Sequence, residues 1–67
     1  MEAEREQLRR VAEAVRDACL QAAIAGYEEA GWSGLCAEGR WELALDRIRA
    51  LDLEALLRRH AAAADRP

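Results

Sequence analysis

The feature that most constrains the fold is an unbroken helical pattern over residues 2–30. Apolar or small side chains recur there at spacings of four and three, the spacing that forms one face of a packed helix. We call these positions the α1 seam: Leu8, Val11, Val15, Ala18, Ala22 and Ala25. Because tertiary packing supplies most helical stability, we expect the seam to pack against another helix or a second chain.

The rest of the chain also favours helix. Sixteen alanines, nine leucines and ten arginines dominate the 67 residues, and only four residues are β-branched. Alanine, leucine, arginine and glutamate are strong helix formers, whereas β-branched residues favour strands. The composition therefore predicts an all-α protein.

The middle of the chain contains the signals for a turn. Gly31 is placed to end the first helix as a C′ glycine, and Ser33, the only serine, is placed to cap the next one. The segment after Ser33 allows two interpretations, and both stay open. Residues 34–38 form a short helix that Gly39 closes, with a new helix over 40–50, or one helix runs from 34 to 51.

Asp52 is a strong candidate to cap a last helix from Leu53 to about Ala63. The prediction is one small domain, a helical hairpin with a short third helix and a tail that frays as chain termini commonly do. Its segments are a long helix (1–31), a turn or short helix (32–39), a second helix (40–51), a third helix (52–64) and a tail (65–67). The expected core is Leu8, Val11, Val15, Cys19, Ala22, Trp41, Leu45, Ile48, Leu53 and Leu56.

The short length favours association. A chain of this size buries only about 60 % of the surface that its unfolded form exposes. Small domains usually add disulfides, a metal or a second chain to such a limited core. We therefore expect two copies to pair into a dimeric helical bundle. The expected interface residues are Trp32 and Trp41 together with five positions of the seam: Leu8, Val11, Val15, Ala18 and Ala22.

The two cysteines, Cys19 and Cys36, lack the paired spacing of a zinc site, so we predict small apolar roles for them and no metal or cofactor. Cys36 is the candidate reactive thiol, because a helix N-terminus lowers the pKa of a thiol. A metal site that combines Cys36 with Glu38 or His60 is the alternative. No catalytic residue is assigned, since the only serine is interpreted as a cap and the carboxylates as solvated charges.

Charge and hydropathy limit the possible partners. The net charge is −3, which opposes the basic surface that nonspecific DNA binding requires. No apolar run approaches the ~20 residues of a membrane span, and the acidic, polar N-terminus is not typical of a signal peptide. We therefore expect a cytoplasmic protein without membrane partners.

Two local resemblances add to this interpretation. Residues 38–51, EGRWELALDRIRAL, resemble the inter-helix turn and second helix of a tetratricopeptide repeat through Gly39, Trp41 and Ala44. That resemblance implies peptide or protein binding. Residues 34–42 resemble a G-L-C-x-E-G-x-W-E segment of short bacterial helical proteins of unassigned function, and this resemblance implies no activity.

The sequence thus predicts a noncatalytic helical interaction or assembly module, acting as a homodimer or as an accessory subunit of another protein. The alternative is a thiol- or metal-dependent accessory protein that uses Cys36. A DNA-binding regulator is the third hypothesis, and the negative net charge opposes it.

Overall fold

The structure is a computed structural model that describes the backbone of residues 1–64 and the side chains of residues 1–61. The chain is all-α in this part, with no strand. Its helices are α1 (Glu2–Trp32), α2 (Ala37–Arg49) and α3 (Leu53–Ala64). The tail that the sequence predicts at 65–67 lies outside the described residues.

The chain divides into two compact units, and α1 contributes to both. One unit pairs Met1–Arg16 with the segment that begins at Asp52 and includes α3. The other unit, Asp17–Leu51, pairs the second half of α1 with α2. None of the helices in the described part of the chain combines the length and the apolar composition that crossing a membrane requires.

The first helix ends one residue later than predicted, and Gly34 rather than Gly31 terminates it. Gly34 has a φ of +84°, in the left-handed region that favours glycine. The amide of Leu35 donates to the Ala30 carbonyl at 3.0 Å, and the amide of Gly34 donates to the Gly31 carbonyl at 3.1 Å. This pair of bonds is a Schellman motif, which satisfies carbonyls that the end of a helix leaves free.

The second helix begins at Ala37 and passes through Gly39 without a break. The turn is therefore followed by one helix, which is shorter at both ends than the 34–51 alternative. Ser33 does not cap it, so that prediction is wrong. Cys36 occupies the N-cap position with no side-chain hydrogen bond.

The prediction for the third helix is confirmed at its start. The Ala55 amide donates to Asp52 Oδ1 at 3.0 Å, which is the bond of an N-cap aspartate. The acidic side chain also lies at the positive end of the helix dipole. Asp52 thus marks the start of α3, after α2 has ended at Arg49.

The buried part of the chain is smaller than the predicted core. Only Ala30 and Ala44 are buried apolar side chains among the described residues. Leu8, Trp41 and Leu53 are 70 %, 62 % and 52 % exposed, so the prediction that they form a core within one chain is wrong. The other predicted core residues are half-buried: Val11, Val15, Cys19, Ala22, Leu45, Ile48 and Leu56.

Candidate interaction surface

The unit Asp17–Leu51 is built around a close crossing of α1 and α2. Gly26 and Ala30 on α1 and Ala44 on α2 are its buried residues. A Cβ atom added at Gly26 would lie only 3.1 Å from the Leu43 carbonyl oxygen and 3.3 Å from the Ala44 Cα atom. Because these side chains are so small, the two backbones approach closely, and the larger side chains lie beside the crossing.

One side of this crossing is polar. Arg47 Nη2 donates to Glu29 Oε2 at 2.6 Å and so links α2 to α1. The two side chains are 46 % and 58 % exposed. An ion pair with this exposure contributes about 0–1 kcal/mol, so it orients the helices more than it stabilises them.

The other side of the crossing is an apolar groove. Its lining is Ala23, Ile24, Tyr27 and Glu28 from α1 with Trp41 and Ala44 from α2. On α2, Trp41 lies three residues before the buried Ala44, and Arg47 lies three residues after it. In a helix this spacing directs the two side chains to opposite sides of the strip through Ala44 that contacts α1. Glu28 is the only charged residue in the lining, so the groove offers water an almost wholly apolar surface.

The large side chains of the groove remain open to solvent. Ile24 is 50 % exposed, Tyr27 is 44 % exposed and Trp41 is 62 % exposed. Leu20, one turn before Ile24, is 56 % exposed and extends the apolar surface along α1. Isolated exposed apolar residues are ordinary in soluble proteins, but a contiguous group that flanks a groove is typical of a binding surface.

Arg40 holds the end of this unit together. Its Nε atom donates to the Leu35 carbonyl at 3.0 Å, and its Cζ atom lies 5.6 Å from the centroid of the Tyr27 ring. The hydrogen bond fixes the turn, and the cation–π contact holds one wall of the groove against the first turns of α2. No sequence pattern indicates this contact, because it depends on how the turn closes.

The structure brings only one of the predicted interface residues into the groove, namely Trp41. Trp32 is 89 % exposed at the last residue of α1. Of the five seam positions, Leu8 is exposed, whereas Val11, Val15, Ala18 and Ala22 are half-buried.

The predicted interface does not include Ile24 and Tyr27, which form the α1 wall of the groove, or the exposed Leu20 one turn before Ile24. These residues are spaced by four and three, like the seam, but at 100° per residue they lie on roughly the opposite side of α1. A search for a second apolar stripe on the same helix would have found them.

The chemistry available to the polar residues is limited in the described part of the chain. Cys36 is exposed and Cys19 is half-buried, and neither forms a disulfide. Within the side chains of residues 1–61, no three His, Cys, Asp or Glu groups come together as a metal-binding set. What the structure does assemble is the apolar groove.

No protein-family model, curated protein or solved structure matches this chain. The two resemblances of residues 34–42 and 38–51 therefore stay predictions from the sequence.

Proposed function

We propose that this chain is a noncatalytic helical interaction module that works by association, as a homodimer or as an accessory subunit of another protein. The observation that carries the proposal is the apolar groove, whose walls are Ile24, Tyr27 and Trp41 and whose lining holds a single charge. Covering apolar surface is the dominant favourable term in most protein association. Tryptophan and tyrosine are also the side chains most enriched at the centres of protein interfaces.

The small buried core supports the same proposal. Ala30 and Ala44 are the buried apolar side chains among the described residues, and an alanine removes little area from water. A chain of this length is marginally stable on its own core. Association through the groove would remove from water the large side chains that the folding of one chain leaves exposed, and would add their burial to its stability.

Site-specific photo-crosslinking in the native host tests this proposal. A photoreactive amino acid at Ile24, within the groove, is expected to give one discrete adduct of defined mass. The matched control is Asp46, which is 66 % exposed on α2 and pairs with Arg49 on the same helix. Adducts from Ile24 and none from Asp46 support an interaction module. Equal labelling at both positions, or no adduct from Ile24, contradicts it.

A thiol-dependent accessory function is the second candidate, and the exposure of Cys36 at the start of α2 favours it. This function would require the thiol itself, whereas the interaction module would not. A Cys36→Ser variant separates the two, because it abolishes a thiol-dependent function and leaves association through the groove intact. Metal analysis of protein purified without chelator tests the metal-dependent form.

A further inference from the structure

We propose that the apolar groove binds a basic amphipathic helix of another protein. The apolar stripe of that helix packs against Ile24, Tyr27 and Trp41, and its lysine or arginine side chains lie beside the carboxylates that border the groove. This inference rests on the proposed function, since it names the chemistry of the partner for the same surface. The observation that identifies the partner is the placement of unpaired carboxylates around the groove.

The unit that contains the groove carries the negative charge of the chain. Residues 17–51 hold six carboxylates and three arginines, a net charge of −3, which equals that of all 67 residues. The three arginines already have partners: Arg47 binds Glu29, Arg49 binds Asp46, and Arg40 binds the Leu35 carbonyl. The carboxylates of this unit that form no ion pair with the described side chains of residues 1–61 are Asp17, Glu28, Glu38 and Glu42.

Two of these carboxylates border the α1 wall of the groove. Glu28 belongs to the lining itself. Asp17 lies seven residues before Ile24, which places it about 20° from Ile24 around the helix and two turns earlier along it. No arginine occurs in α1 between Asp17 and Glu28. The α1 wall is therefore acidic at both ends.

A third carboxylate borders the α2 wall. Glu38 lies three residues before Trp41, as Trp41 lies three residues before Ala44, so Glu38 stands on the side of Trp41 that is turned away from the buried Ala44. Glu42 lies about 160° from Ala44 around α2 and so points away from the groove. An apolar surface with acidic borders on both walls matches a partner whose apolar stripe is flanked by cations.

The lining favours a helix over an extended segment as the occupant. Its side chains offer hydrogen bonds only through Tyr27, Glu28 and Trp41, and the α1 and α2 backbones bond within their own helices. An extended segment would bury amide and carbonyl groups against this lining without partners, whereas a helix pairs its own. The exposed stripe from Leu20 to Tyr27 extends over about two helical turns, which suits the recognition of a helix in a groove.

A second copy of this chain fits the groove less well than a basic partner. Its own residues 17–51 would bring the same unpaired carboxylates to the same surface, and the juxtaposition of like charges disfavours the contact. Other exposed leucines, such as Leu8 and Leu53, lie outside the groove lining. Two copies that pair through those leucines leave the groove open to its partner.

The test measures the binding of two synthetic helical peptides to the full-length protein by fluorescence. Both peptides carry leucines at positions i, i+3, i+4 and i+7, and they differ only in their flanking residues, which are lysines in one and glutamates in the other. A Trp32→Phe variant leaves Trp41 as the only tryptophan, so its emission reports on the groove. We expect the basic peptide to shift this emission to shorter wavelength and to bind at least about tenfold more tightly than the acidic peptide, because three carboxylates change from attraction to repulsion. Added salt should weaken the binding of the basic peptide.

Two charge-neutralising variants locate the contact. Glu28→Gln should raise the dissociation constant of the basic peptide roughly threefold, because one carboxylate of the lining is lost. Glu42→Gln is the matched control, since it changes the net charge equally from a position outside the lining, and its effect should stay below about 1.5-fold. Both side chains are exposed, so neither change is expected to disturb folding.

Three outcomes overturn the inference: no binding of the basic peptide, equal affinity for the two peptides, or equal effects of Glu28→Gln and Glu42→Gln. Trp41 emission that shifts with protein concentration in the absence of peptide overturns it as well, because a second copy then covers the groove. The proposed function is tested separately by the photo-crosslink at Ile24. A discrete adduct whose crosslinked partner segment is not basic would retain the interaction module and refute the basic helix.

Discussion

Replacement of Gly26 by alanine tests the close crossing of α1 and α2, because two effects of opposite sign compete there. Alanine in place of a helical glycine normally gains about 1 kcal/mol. The added Cβ atom, however, would lie 2.8 Å from Arg47 Cγ and 3.1 Å from the Leu43 carbonyl oxygen. The arginine side chain can move, but the carbonyl can move only with its helix.

Overpacking of this kind typically costs 1–3 kcal/mol, that is about 2 kcal/mol at a single tight contact. Gly26→Ala is therefore expected to lower the free energy of unfolding by about 1 kcal/mol after the helix-propensity gain is subtracted. Displacement of Arg47 also disturbs its hydrogen bond to Glu29. The sign of the change in the free energy of unfolding decides between the two effects: a loss of stability indicates overpacking at the crossing, and a gain indicates that helix propensity dominates.

Urea unfolding followed by circular dichroism measures this change, at one protein concentration for all variants because association adds to apparent stability. Ala25→Gly is the matched control: Ala25 is the exposed neighbour of Gly26, so the reverse substitution isolates helix propensity, with an expected loss of about 1 kcal/mol. If Gly26→Ala instead stabilises the protein by as much as Ala25→Gly destabilises it, the helices do not cross closely at Gly26.

Three further sets of variants test local features by the same urea measurement. Gly34→Ala should lower the free energy of unfolding by about 1–2 kcal/mol, and Gly34→Asn by less, because φ at this position is +84°. No atom lies within 4 Å of an added Cβ, so the cost comes from the backbone conformation and not from a clash. Equal costs for the two variants would contradict a backbone origin. Asp52→Ala should lower the free energy of unfolding by about 1 kcal/mol, because the hydrogen bond from the Ala55 amide is lost. Asp52→Asn should retain most of that stability, because asparagine also caps helices. No loss in either variant would refute the cap. A double-mutant cycle on Glu29 and Arg47 should give a coupling free energy of at most about 1 kcal/mol, because both side chains are half-exposed. Added salt should lower this coupling free energy. A value that salt leaves unchanged would refute a solvent-screened ion pair.

Features with a local physical origin could be predicted from the sequence. The all-α class follows from residue propensities, and the Asp52 cap follows from a side chain that bonds an amide three residues later. The end of α1 was harder, because Gly31 and Gly34 both suit a helix stop. The choice depends on which glycine lets the Leu35 amide reach the Ala30 carbonyl, and that depends on the closed turn.

A second apolar stripe on α1 can be read from the sequence, but its position beside Trp41 could not be predicted, because that position depends on the rotation of α1 about its own axis. Hydrophobicity marks the seam as the contact face, yet the crossing uses Gly26 and Ala30, which matter through their small volume. That crossing turns Ile24 and Tyr27 toward solvent beside Trp41. The sequence predicts Trp41 both as a core anchor and as an interface residue, since an aromatic residue on an apolar stripe suits both roles. Its exposure contradicts the first role, and the second stays a prediction.

Association through the exposed apolar surface is the central claim, and the molar mass of the purified chain tests it most directly. The measurement is light scattering behind a sizing column, over a dilution series and with and without reductant. We predict a mass near twice 7.5 kDa that survives reductant, since the proposed function assigns the contact to exposed apolar surface and not to a Cys36 disulfide. A mass of 7.5 kDa at every concentration, or a dimer lost on reduction, would contradict that prediction.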